Sequence, residues 1–141
     1  MTLCLMMSFQ ISKGEMRLLI DTQIFVWSVM DSENLTPRAR EIMLEADEVF
    51  VSAASIWEIA IKVKIGKLEG DPRELAEAIS GSGFRELSIS AHHAARLHEL
   101  PLYHRDPFDR MLIAQAMSEP LHFLTADRVL AQYSELVMTV K

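Results

Sequence analysis

The stretch LLIDTQIFVW, residues 18–27, decides how the rest of the chain is read. Residues 16–20 form an apolar run of the kind that makes a buried parallel strand. Asp21 interrupts it, apolar residues resume almost at once, and residues 22–30 read as a helix. A carboxylate in such surroundings is costly unless it is paired or binds a metal. In open parallel sheets, ligands gather beyond the carboxyl ends of the strands. Asp21 stands at such an end, so the question is whether other acids stand at similar ends.

The alternation continues outward from this stretch. Thr36 and Pro37 read as N-cap and first helical residue of a helix to about Ala46. EVFVS (48–52) reads as a short strand, and Ser52 caps a long helix over 53–68, with Gly66 ending its regular part. Asp71-Pro72 opens a helix to about Ser80, with Gly81 and Gly83 breaking it. FRELSI (84–89) is a strand, and Ser90 caps a helix over 91–100. Asp106-Pro107 starts a helix over 108–119. LHFLT (121–125) is a strand, a short helix follows near 127–133, and LVMTV (136–140) is a last strand. Strands separated by helices predict an α/β fold: a central parallel sheet with helices on both faces.

The 141 residues carry a net charge of −6, half are apolar, and Cys4 is the one cysteine. That length suits one domain with a sizeable core. A lone cysteine allows no internal disulfide, which fits a reducing, cytoplasmic setting. No apolar run is long enough to span a bilayer, so no membrane role is expected. The acidic balance does not advertise nucleic-acid binding, although a divalent metal and a local basic rim reverse the field where they lie. Residues 1–15 lack a basic start and a small-residue cleavage site, against a secretory signal. Met16 offers a second start just before the first strand. Residues 1–15 are therefore read as an extension or an upstream mis-start, and residues 16–141 as a single domain.

Each acid has a structural explanation to set beside a functional one. Asp21 and Asp127 could each cap a following helix; their places just after strands favour function. Glu58 could pair with Lys62 one turn on, worth about 0.2–0.5 kcal/mol, but its helix face is mostly apolar. In HRDPFDR (104–110), Asp106 is the natural N-cap and Asp109 the better ligand, since one cap is enough. Thr125 places a hydroxyl beside Asp127. If these acids converge, each adjacent pair repels by about 4 kcal/mol at 4 Å and an effective dielectric near 20. A stable cluster then needs a cation, and an all-oxygen site suits Mg²⁺ or Mn²⁺. Zinc is a poor match, because the usual Cys and His spacings are absent. Such an ion activates water against a phosphodiester.

Four segments carry a resemblance: LLIDTQIFVW, SAASIWEIAIKVKIGKL, LPLYHRDPFDRMLIAQA and FLTAD. Together, and in this order from about Met16 to the C-terminus, they resemble the PIN-domain ribonucleases, and most of all the VapC-like toxins of toxin–antitoxin pairs. The resemblance implies a PIN-like three-layer sandwich and a metal-dependent endoribonuclease that cuts single-stranded RNA, commonly transfer RNA. By matching position it implies Asp21, Glu58, Asp109 and Asp127 as the Mg²⁺- or Mn²⁺-binding acids. Asp106 matches a frequent extra acid, and Thr125 a small hydroxyl position. It also implies a homodimer neutralised by a small antitoxin, whose basic residue can replace the metal's charge.

Two other readings compete. A haloacid-dehalogenase-type phosphatase would use Asp21 as nucleophile, but it wants a second aspartate where Gln23 stands. A non-catalytic antitoxin-binding or regulatory module would not need the full acidic set. Among the remaining signals, Lys62 and Arg105 are candidate phosphate contacts, while Lys64 and Lys67 read as solvated surface. His92 and His93 read as helix surface, and His104 as a residue that could position RNA. Trp27 and Trp57 read as core or dimer contacts.

Overall fold

The computed structural model describes residues 16–140; the segment read above as an extension or mis-start lies outside the described residues. Five strands form one sheet: β1 (Arg17–Ile20), β2 (Glu48–Ser52), β3 (Arg85–Leu87), β4 (His122–Thr125) and β5 (Val137–Thr139). Their order is β3-β2-β1-β4-β5, and every neighbouring pair is parallel. Ile20 is in register with Val51 on one side and Leu124 on the other. The chain works outward from β1 to β2 and β3, then returns to add β4 and β5 on the opposite side. The order therefore reverses between β1 and β4, where an open sheet leaves a crevice at its carboxyl rim.

Among the described residues six α-helices cover the sheet: α1 (Thr22–Val29), α2 (Pro37–Glu45), α3 (Ala53–Lys64), α4 (Pro72–Gly81), α5 (Ala91–Arg96) and α6 (Pro107–Ser118). Alternation along the strands divides the core between the two faces. Leu18, Ile20 and Val51 pack with Ile24 and Phe25 of α1, Ile42 of α2, Ile59 of α3 and Ile79 of α4. Leu19 and Phe123 point the other way and pack with Leu112, Ile113 and Ala116 of α6. This is the three-layer architecture expected. No helix of the described residues is long and apolar enough to cross a membrane.

The starts of the helices agree with the sequence signals. Thr36, Ser52, Asp71, Ser90 and Asp106 each accept a backbone N–H of the helix they precede. The ends differ more. The regular part of α3 does end just before Gly66, at Lys64, where Gly66 takes a left-handed φ of 78°, and only the stretch to Leu68 is lost. Strand β3 keeps three of six expected residues; it pairs with Phe50–Ser52, and beyond Leu87 it has no partner because β2 ends at Ser52. The helix after Ser90 tightens into a 3-10 turn at Leu97–Glu99.

One side chain departs from its expected place, and another keeps only the second of its two readings, a dimer contact. His93 is buried, not on the surface. Its Nδ1 accepts from Ser90 N (3.0 Å) and its Nε2 lies 2.6 Å from Glu119 Oε2, so the ring ties the start of α5 to the end of α6. Trp57 is 58% exposed and so lies outside the core. It meets Phe108 edge to face, with ring centroids 5.0 Å apart. Trp27 does pack against the first core layer.

Candidate metal centre

The crevice between β1 and β4 is where the acids gather. Asp21 follows β1 directly, and its backbone N–H donates to Leu124 O of β4 (3.0 Å). Its carboxylate divides its duties. Oδ1 accepts from Ile24 N (2.7 Å) and caps α1, while Oδ2 accepts from the Thr125 hydroxyl (2.6 Å). Thr22 donates to Ser55 Oγ (2.9 Å) and ties α1 to α3. Capping and membership of the site are thus properties of one side chain.

Thr125 ends β4, fully buried, and serves two acids. Besides donating to Asp21, its hydroxyl accepts from Asp127 N (3.0 Å), which fixes the turn that carries Asp127. Asp127 Oδ1 accepts from Val129 N (3.0 Å), capping the 3-10 turn Arg128–Gln132. Its Oδ2 lies 2.9 Å from His104 Nε2.

Glu58 comes from the second turn of α3 and is only 6% exposed. Its Oε2 pairs with Lys62 Nζ at 2.9 Å, the one-turn pairing expected of the sequence. Its Oε1 is buried with no hydrogen-bond partner. At the start of α6, Asp106 Oδ1 accepts from Phe108 N (2.8 Å) and Asp109 N (3.2 Å). Asp106 is therefore the cap. Asp109 turns its carboxylate towards the crevice, with Oδ2 3.6 Å from His104 Nε2.

The carboxylates of Asp21, Glu58, Asp106, Asp109 and Asp127, with the ammonium of Lys62, line a cleft of about 300 Å³. Five acids against one base leave the lining strongly negative. The titration of two of them registers it. Burial first, tempered by the Thr125 and Ile24 hydrogen bonds, pushes Asp21 from an ordinary 3.8 up to about 6. Burial, then the charges of Asp106, Asp21 and Glu58, push Asp109 up to about 7, with His104 pulling the other way. Lys62 is raised, chiefly by its hydrogen bond to Glu58.

A hard divalent cation fits this donor set. The ligands are oxygens, as Mg²⁺ and Mn²⁺ prefer. One of them, Glu58 Oε1, is a buried carboxylate oxygen that lacks a partner, a state that costs free energy unless a cation or donor satisfies it. Burial first, and then the neighbouring negative charges, make Asp21 and Asp109 hold protons at pH values where carboxyls are normally ionised. Arg105 is exposed and takes no part in the lining.

Sequence reasoning undervalued His104. Single ligand-type atoms of His104, Asp109 and Asp127 all lie within 4.8 Å of one another. His104 reaches Asp127 across 23 residues, so no local spacing announces it. Its place two residues before a capping aspartate was the only signal within the segment.

The PIN domain family profile matches residues 18–136. No curated protein sequence matches significantly. Among solved structures, the chain is similar to VapBC2 from Rickettsia felis bound to a DNA fragment from its promoter. The TM-score is 0.67 at 15% identity, over 88% of this chain and 98% of that one. It is similar to a toxin–antitoxin complex from Klebsiella pneumoniae, with a TM-score of 0.62 at 18% identity, over 86% and 96% of the two chains. FitAcB from Neisseria gonorrhoeae gives a TM-score of 0.57 at 21% identity, with the same coverages. These likenesses concern the fold, and the profile match runs from β1 to the residue before β5, taking in every acid of the cleft. With strand order, acidic rim and profile in agreement, the chain belongs to the PIN domain family.

Proposed function

We propose that this protein is a divalent-metal-dependent endoribonuclease that cleaves single-stranded regions of RNA, and that it is the toxin of a toxin–antitoxin pair. One observation carries the enzymatic part: Asp21, Glu58, Asp109 and Asp127, from four distant segments, face one cleft in which a buried carboxylate oxygen lacks a partner. These four would hold Mg²⁺ or Mn²⁺. Such an ion supplies charge neutralisation at the scissile phosphate and a water of lowered pKa.

The chain's own groups do the rest. Thr125 and Ile24 N hold Asp21 in one orientation, so its carboxylate is set before substrate arrives. One of the four acids would also orient the attacking water or take its proton. Lys62 offers a phosphate contact beside Glu58, and the exposed Arg105 a second one outside the lining. Gln23 lies at the lining where a phosphatase of the Asp-x-Asp type would need its second acid.

The solved relatives named above are toxin–antitoxin complexes, and they support an antitoxin partner for this chain. A basic side chain from that partner would offset the negative cleft. A homodimer is part of the same proposal. The decisive experiment incubates the purified protein and Asp21→Asn with total RNA, with Mg²⁺, Mn²⁺ or EDTA. Cleavage by the native chain alone, abolished by EDTA, is the expected result. Metal-dependent cleavage retained by Asp21→Asn would overturn the site assignment, and cleavage by neither would favour a binding module. Co-purification with the product of an adjoining small gene tests the antitoxin.

A further inference from the structure

His104 is held by an unusually complete set of contacts for a loop residue. Its backbone N–H donates to the Tyr133 hydroxyl (3.0 Å). That hydroxyl also receives Arg110 Nη1 (3.1 Å), whose guanidinium donates to Pro101 O (2.8 Å) and Leu97 O (3.1 Å). Arg110 and Tyr133 thus clamp the loop from Leu97 to Asp106 in one shape. The ring is fixed as well. A backbone N–H can only donate, so the 3.0 Å contact from Asp106 N makes Nδ1 the acceptor. The proton of the neutral ring must then sit on Nε2, which is the atom 2.9 Å from Asp127 Oδ2 and 3.6 Å from Asp109 Oδ2.

This tautomer decides between two roles. To ligate a cation through Nε2, the ring would have to move its proton to Nδ1 and meet the Asp106 N–H head on. We infer that His104 is a positioning residue and not a ligand: its Nε2–H holds the Asp127 carboxylate beside Asp109, so that both acids face one cation. The inference rests on the proposed cation site and adds a residue to it. Partners that orient a ligand in this way change metal affinity by about 10- to 100-fold when removed.

The test measures Mn²⁺ affinity by titration calorimetry for the native chain, His104→Ala and His104→Gln, with thermal melting in EDTA as a check on folding. Long-range ¹H–¹⁵N spectra of the native imidazole, with and without saturating Mg²⁺, read the tautomer independently of any variant. Expected are a loss of about 10- to 100-fold for His104→Ala, substantial rescue by the amide N–H of His104→Gln, and a ring that keeps its Nε2 proton with Mg²⁺ bound. Equal affinity of native and His104→Ala chains would overturn the role while leaving the cation site standing. Loss of the Nε2 proton on adding Mg²⁺ would make the ring a ligand and overturn it too. A His104→Gln affinity no better than that of His104→Ala would overturn the donor role. A native chain that binds no Mn²⁺ would overturn both the site and this inference.

Discussion

Asp109 pays for its place in the cleft. Its pKa is about 7 in the folded chain, against an ordinary 3.8, because it is partly buried among Asp106, Asp21 and Glu58. Asp21 is displaced the same way, to about 6. Below about pH 4 both groups are protonated whether the chain is folded or not, and they contribute nothing to pH dependence. As the pH rises towards 7, the unfolded chain releases these protons while the folded chain retains them. The metal-free protein therefore loses stability across that window. Asp109→Asn removes one of the two charges. In EDTA it should be more stable than the native chain above pH 7, by on the order of 1–3 kcal/mol, and no more stable below about pH 4. Urea unfolding at the two pH values checks this, and a gain confined to low pH would contradict it. A cation competes with the same protons, so Mn²⁺ affinity should fall as the pH is lowered from 7 to 6, with proton release visible as buffer-dependent heat.

Helices and strands carry these residues to the crevice through ordinary local rules. Every acid in the cleft except Glu58 also caps a helical turn or stands in its first turn, so the sequence features that start the helices also supply the ligands. Glu58 is instead placed by helical periodicity, six residues past the Ser52 cap on the face that α3 buries. That helix ends at Lys64, just before Gly66, whose φ of 78° suits glycine and strains other residues. A Cβ there would meet nothing within 4 Å, so the cost of Gly66→Ala is one of backbone conformation alone. It should lower stability by about 1 kcal/mol and leave Mn²⁺ affinity unchanged. A much larger loss would mean that the loop after α3 supports more of the fold than its exposure suggests.

The cleft exists because the sheet reverses its order between β1 and β4. Asp21 and Thr125 are 104 residues apart, yet they share a 2.6 Å hydrogen bond because Ile20 and Leu124 are in register. The core beneath is divided by the sheet, with Leu18 and Ile20 on one face and Leu19 and Phe123 on the other. A cation bound at the rim would bind the folded chain and not the unfolded one. Mn²⁺ at 100 times its dissociation constant should then add about 2.7 kcal/mol to the unfolding free energy, reversed by EDTA. The same addition should do nothing for Asp21→Asn. Equal stabilisation of both chains would place the ion elsewhere.

Much of this was written along the chain. Strand and helix periods differ, cap residues mark helix starts, and a buried run that ends in aspartate marks a rim. Such patterns are local, so the parallel architecture and the candidacy of Asp21, Asp109 and Asp127 were legible without coordinates. Element ends were less so, because the length of β3 depends on how much of β2 is there to pair with it. What only the tertiary structure decided are the relations between distant groups: the orphaned oxygen of Glu58, the Thr125 hydroxyl shared by Asp21 and Asp127, the burial of His93, and the bridge from His104 to Asp127. Hydrogen-bond partners and desolvation are properties of what surrounds an atom, and those surroundings come from strands and loops that meet only when the chain has folded.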